Sequence, residues 1–281
     1  MKPMTLVLLM IWSVTAVAAQ QPAGSIQVAE NPARKSAIEV VNRIKRADYE
    51  GDRAALNGLY LELIPFVDEP EMASRIRYWR GFAKWRRAIN GFNETPTPAD
   101  LAQDLTDAES EFDAAIQRDP AFVDAKIAAA SCQLYRLFLG RYFSTEKDPA
   151  RLMAIMAPAT QLLKDAKASA PDNPRLLWVV GPSQWSTPPE RGGGQEKAMD
   201  TYQRGLSTIR AQKSSTTDPL EPSWGEPELL MSLAWSNLNR IKPDPPAAEQ
   251  YARGALDLVP YWHYVRDILM QQIRDVQKKV Q

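Results

Sequence analysis

One interval pattern recurs along this chain and narrows what it can fold into. Ala108, Phe112, Ala115 and Pro120 are separated by four, three and five residues. In a helix the first three share one face, and the proline stops the helix. Two small residues around a large one let a neighbouring helix come close while the ring fills the gap. Ala159, Leu163, Ala166 and Pro171 keep every interval, as do Ala248, Ala252, Ala255 and Pro260, with Ala252 small where the others are large. Ala198, Tyr202 and Gly205 keep the first two intervals without the proline. Any helical hairpin produces one such stripe. Four of them predict an all-α chain of antiparallel helix pairs, with an all-helical bundle lacking repeat ancestry as the competing architecture.

The rest of the chain reads as helices between proline stops. Asn31-Pro32 starts a helix carrying Ala37, Val41, Ile44 and Asp48, and Gly51 ends it. A second, from about Asp52, carries Leu56, Leu59, Leu63 and Phe66. A third starts near Glu69-Pro70 and holds Trp79, Phe82, Ala83 and Arg86. Pro182 is expected to cut short the helix opening at Asn173-Pro174, and 214–224 reads as a polar linker. From Tyr261, the residues Trp262, Val265, Leu269, Ile273, Val276 and Val280 form one apolar stripe. No strand pair is predicted.

The start of the chain looks like an export signal. Lys2 precedes a short apolar run from Leu6 to Val14, and Ala16-Val17-Ala18-Ala19 offers small residues for cleavage. The expectation is a cleaved segment at 1–19, a polar leader at 20–31 and a single domain over 32–281. No lipid-anchoring cysteine lies nearby, and no later stretch reads as a membrane span, so a periplasmic or secreted protein is expected. Basic and acidic residues balance at 34 each, which gives no global argument for nucleic acid or an anionic membrane as partner. Cys132 is the only cysteine, which rules out an internal disulfide, and reads as a core or groove residue.

The recurring Ala-x3-Φ-x2-small stripe, with Φ usually a large apolar residue, resembles the second helix of the tetratricopeptide repeat. Trp79, Phe82, Ala83 and Arg86 resemble the first-helix signature W-x2-L-G-x2-Y, with arginine departing at the last position. Leu177, Val180, Gly181 and Gln184 fit the same spacing. The resemblance covers roughly 74–260, with insertions in every unit. It implies a right-handed superhelical array, a TPR-like α-solenoid, with 261–281 as a capping helix. It also implies that the first helix of each unit lines a concave groove. Carried onto this chain, those positions are Arg77, Arg80, Lys84 and Arg87, then Tyr135, then Arg175, Trp178 and Trp185, then Met231 and Trp235. The groove would be basic at one end and aromatic at the other. The helix start Gly193-Gly194-Gln195-Glu196-Lys197-Ala198 also resembles the periplasmic T component of TRAP-type transporters, although this chain lacks that family's usual anchoring cysteine.

Catalytic motifs are sparse. His263 is the only histidine, no G-x-S-x-G accompanies it, and one histidine with one cysteine builds no zinc site. Gly192-Gly193-Gly194 lacks the flanking residues of a phosphate loop and reads as a turn. No cofactor or metal is expected. The sequence therefore reads as a non-enzymatic scaffold that captures a peptide or partner protein in its groove. The alternative is an accessory protein of an uptake system enclosing a small acidic or aromatic solute. In the first reading, reversing charge at Arg80 and Lys84 leaves the fold intact and weakens capture. One competing view of the cations is that they neutralise the acidic helix after them, which carries Asp100, Asp104, Asp107 and Glu111.

Overall fold

A computed structural model describes residues 31–140, 147–212 and 218–280. The expected signal sequence, nearly all of the expected leader and part of the expected linker lie outside these residues. The described residues form eleven α-helices and no strand. They are α1 (Pro32–Glu50), α2 (Arg53–Glu62), α3 (Ala73–Gly91), α4 (Leu101–Arg118), α5 (Val123–Leu139) and α6 (Pro149–Ser169). Then come α7 (Pro174–Ser186), α8 (Gln195–Gln212), α9 (Glu226–Asn239), α10 (Pro245–Leu258) and α11 (Met270–Val280). A π-helical turn, Tyr264–Leu269, leads into α11. No helix among them is long and apolar enough to cross a membrane.

Punctuation in the sequence sets most boundaries. Asp52, Asp148, Asn173 and Asp244 each cap a helix by accepting from its first-turn N–H groups. Three helices end in the same way. The N–H groups of Asp119, Ala170 and Val259 donate to the carbonyls of Ala115, Ala166 and Ala255, the last small residue of each stripe. The carbonyls of Asp119, Ala170 and Val259 then accept from Phe122, Asn173 and Trp262 at 3.0–3.1 Å. Proline follows each cap residue, where no further helical bond is possible.

The stripes lie on α4, α6, α8 and α10, and their small residues are all buried. Phe112 and Tyr202 fill the large positions and are buried as well. Leu163 is half-buried in a smaller cluster around Ile127, Ala166 and Leu176. Gly181 of α7 lies flat against Tyr202, and an added Cβ would come within 2.1 Å of that ring. Each helix packs on the next, and α1, α3, α5, α7 and α9 also touch one another in succession. One hydrophobic core cluster takes residues from α1 through to α11.

Three expectations change. Helix α7 runs through Pro182 to Ser186. Pro182 lacks a backbone donor and crowds the Trp178 carbonyl, but the helix continues past it, and Thr187 N–H closes it onto the Ser183 and Gln184 carbonyls. The described part of the linker, 218–224, is not a solvated connection, because Leu220 and Trp224 are buried against α3. Trp79 Nε1 donates to the Leu220 carbonyl at 2.8 Å, and Trp224 Nε1 donates to the Tyr78 hydroxyl at 2.8 Å. Arg34 and Arg75 hold Asp218 and Glu221 at 2.6 and 2.8 Å. The cations of α3, finally, face α4. Arg80 donates to Glu111 at 2.8 Å and Lys84 lies 3.3 Å from Asp104.

Candidate functional site

Helices α5, α7 and α9 present residues at three- and four-residue steps, which keeps them on one face. Helix α5 contributes Ser131, Tyr135 and Phe138, α7 contributes Trp178, Pro182 and Trp185, and α9 contributes Met231 and Trp235. These faces converge on two cavities of about 300 and 570 Å³. The cavities share Tyr135, Trp178, Met231 and Trp235, so they form one cleft. The larger part is completed by Arg86 and Phe92 from the end of α3 and by Trp262 and Tyr264 from the approach to α11.

The cleft is walled by ring on ring. Trp185 and Trp235 meet edge to face at 5.3 Å, and Phe92 lies 5.6 Å from Tyr135. Trp178 is buried between Trp85 and Trp224, at 6.0 and 5.5 Å. Its Nε1 donates to Ser232 Oγ at 3.1 Å, which fixes the indole plane. Trp235 is 37% exposed and stands at the mouth.

Behind the aromatic wall lies a buried ionic cluster. Arg86 is 3% exposed, and its Nε reaches both Asp48 oxygens at 2.8 Å. Its Nη2 lies 3.6 Å from Glu228 Oε1, which also accepts from the Tyr49 hydroxyl at 3.0 Å. Glu228 Oε2 accepts from Gly225 N–H at 3.0 Å, and Asn90 Nδ2 donates to Asp48. Burial works against the charge of Arg86, but Asp48 and Glu228 hold its pKa well above the usual arginine value. Burial pushes the Glu228 carboxyl up, and Arg86 opposes that rise. Arg86 Nη1 is closed to bulk solvent and has no hydrogen-bond partner among the described residues.

The structure brings together five of the ten residues expected in the groove: Tyr135, Trp178, Trp185, Met231 and Trp235. The other five lie elsewhere. Arg77 and Arg80 pair with Glu111, Lys84 with Asp104 and Asp107, and Arg87 with Asp100 and Asp104. Arg175 pairs with Asp124 and donates to the Trp224 carbonyl at 3.1 Å. A cation beside a helix of opposite charge gains more by pairing there than by facing an empty groove. Sequence reasoning did not place Arg86, Phe92, Trp262 and Tyr264 in the cleft. Arg86 carried a signal, since it stands where the repeat signature has an aromatic residue.

No protein-family model and no curated protein matches the chain. The chemistry therefore rests on the residues. Among the described residues no group of three or more His, Cys, Asp or Glu side chains is placed to hold a metal ion. His263 is exposed and its Nδ1 lies 2.8 Å from Asp267 on the next turn. Burial pushes the Cys132 thiol up, which leaves it protonated and unreactive. Gly192 and Gly194 take φ of +83° and +104°, as a tight turn before α8 requires.

Proposed function

We propose that this chain is a non-enzymatic binding protein, a TPR-like superhelix that holds a small apolar or aromatic solute in its inner cleft. The observation that carries the reading is the convergence of Tyr135, Trp178, Trp185, Met231 and Trp235, from three separate helices, on one opening. Cavities of about 300 to 1,000 Å³ lined by aromatic side chains suit ligands of drug-like size. The export signal read in the sequence fits a periplasmic or secreted accessory of solute uptake. Capture of an acidic peptide has less support, because the cations of α3 are committed to α4.

The test is a titration of tryptophan fluorescence and melting temperature with 2-naphthamide, whose fused rings match the aromatic walls. The wild-type chain is expected to show saturable quenching and a rise in Tm. Trp235→Ala at the exposed mouth is expected to weaken binding at least tenfold with little change in the ligand-free Tm. No quenching and no Tm shift at any soluble concentration would remove the reading. A second reading keeps the cleft and exchanges the solute for an apolar side chain of a partner protein. Phe138, 62% exposed beside the opening, favours it.

A further inference from the structure

The smaller part of the cleft, about 300 Å³, has a wall of one chemical kind. Five of its lining side chains are aromatic: Tyr135, Trp178, Trp185, Tyr202 and Trp235. Among its described lining residues none carries a charge, and none is an asparagine or glutamine. Trp185 and Trp235 stand 5.3 Å apart at 64°, edge to face, so the pair makes a corner bounded by a face of each ring. Trp178 Nε1 donates to Ser232 Oγ at 3.1 Å, which occupies the electropositive edge of that indole. What is left for a ligand is chiefly ring surface, and ring faces carry negative potential.

That wall chooses among ligands. An anion would give up its hydration with no free cation to meet it. Arg86 lies 5.7 Å from the Trp178 ring, but Asp48 and Glu228 face it. The three side chains together are neutral with Glu228 protonated and negative otherwise, so they lend no positive charge to the cleft. A sugar would bring many hydroxyls to a wall short of partners for them. A primary ammonium is compact and strongly hydrated, and rings replace its lost water poorly. A quaternary ammonium has no N–H to satisfy. Its charge is spread over methyl groups that pack against rings as an apolar body does, and the ring faces attract it.

Building on the reading of the cleft as a solute site, we propose that its smaller part is an aromatic cage for a trimethylammonium group, with the rest of the ligand reaching into the larger part. The solute keeps the apolar surface of that reading and adds one diffuse positive charge. The acidic solutes expected as an alternative from the sequence are thereby excluded.

Three small probes test it: choline, its uncharged isostere 3,3-dimethyl-1-butanol, and ethanolamine, which keeps the charge but not the methyl groups. Each is titrated against the full chain at pH 7, with sodium chloride holding the ionic strength constant, and read by tryptophan fluorescence. Choline is expected to bind at least tenfold tighter than either of the others. Trp185→Leu keeps an apolar side chain and removes the ring; it is expected to weaken choline at least fivefold and the alcohol less than twofold. If that variant does not fold, the three probes on the wild-type chain still decide. Equal or tighter binding of the alcohol would overturn the proposal, since apolar contact alone would then account for the site. Equal or tighter binding of ethanolamine would overturn it too, because a carboxylate rather than the rings would be holding the charge. So would an equal loss of choline and alcohol in the Trp185 variant. A chain that binds 2-naphthamide but not choline would sink the cage and leave the cleft as a solute site. Failure of 2-naphthamide and all three probes would instead remove the underlying reading, and the proposal with it.

Discussion

The Glu228 carboxyl has a cation, a hydroxyl and a backbone N–H around it, and yet its closed surroundings push its pKa up. A raised pKa means that the native state binds more protons than the unfolded state between the two values. Stability from this group is therefore full below its ordinary value of 4.5 and is lost as pH rises through the folded pKa. Glu228→Gln is expected to flatten that fall, measured as urea-unfolding free energy against pH; parallel wild-type and variant curves would contradict it. Arg80 and Lys84 give a second expectation at this scale. They are 6% and 8% exposed and paired, so reversing both charges leaves Glu111 and Asp104 buried against negative neighbours. Breaking a buried pair costs about 3–5 kcal/mol. The double reversal, expected from sequence to spare the fold, is now expected to melt far below wild type or fail to fold. Sequence reasoning had both roles in view for these cations. It leaned toward neutralisation by the acidic helix and carried the groove from the repeat resemblance, because a shared helical face shows that side chains lie together, not which neighbour they meet.

Helices were the most legible level. The stripes on α4, α6, α8 and α10 declare themselves by spacing and by the prolines that follow three of them, and all four are buried as small-residue seams. Pro182 was less legible, because a proline's effect depends on whether the next donors find carbonyls, and here they do. Two glycines separate close packing from mere tolerance. Gly181→Ala would drive a methyl into the Tyr202 ring and is expected to cost about 1–3 kcal/mol. Gly58, exposed inside α2, has nothing within 4 Å of an added Cβ, and Gly58→Ala is expected to gain about 0.5–1 kcal/mol. Chemical denaturation of both variants checks the pair. Equal effects would mean that the α7–α8 contact is looser than it stands.

At the scale of the whole molecule, the beginning and end of the helix array are tied to each other. Tyr49 and Arg86 meet Glu228, Trp224 meets Tyr78, and Tyr49 lies 5.1 Å from Trp262. None of this was legible in the sequence, because the partners lie far apart in the chain and no local period links them. The tie should make unfolding one event rather than fraying from the ends. Trp224→Ala is expected to lower hydrogen-exchange protection in α3 as well as around 218–228, whereas loss confined to the second region would show the ends to be independent. The same tie bears on how such a chain can change over generations. An open array of helix pairs lengthens by copying a unit, since each new pair needs only its neighbours. Here a duplicated pair between α3 and α9 would carry Glu228 away from Arg86, leaving that carboxyl buried without its cation while Arg86 keeps Asp48. The tie between the two ends thus opposes a change in the number of helix pairs.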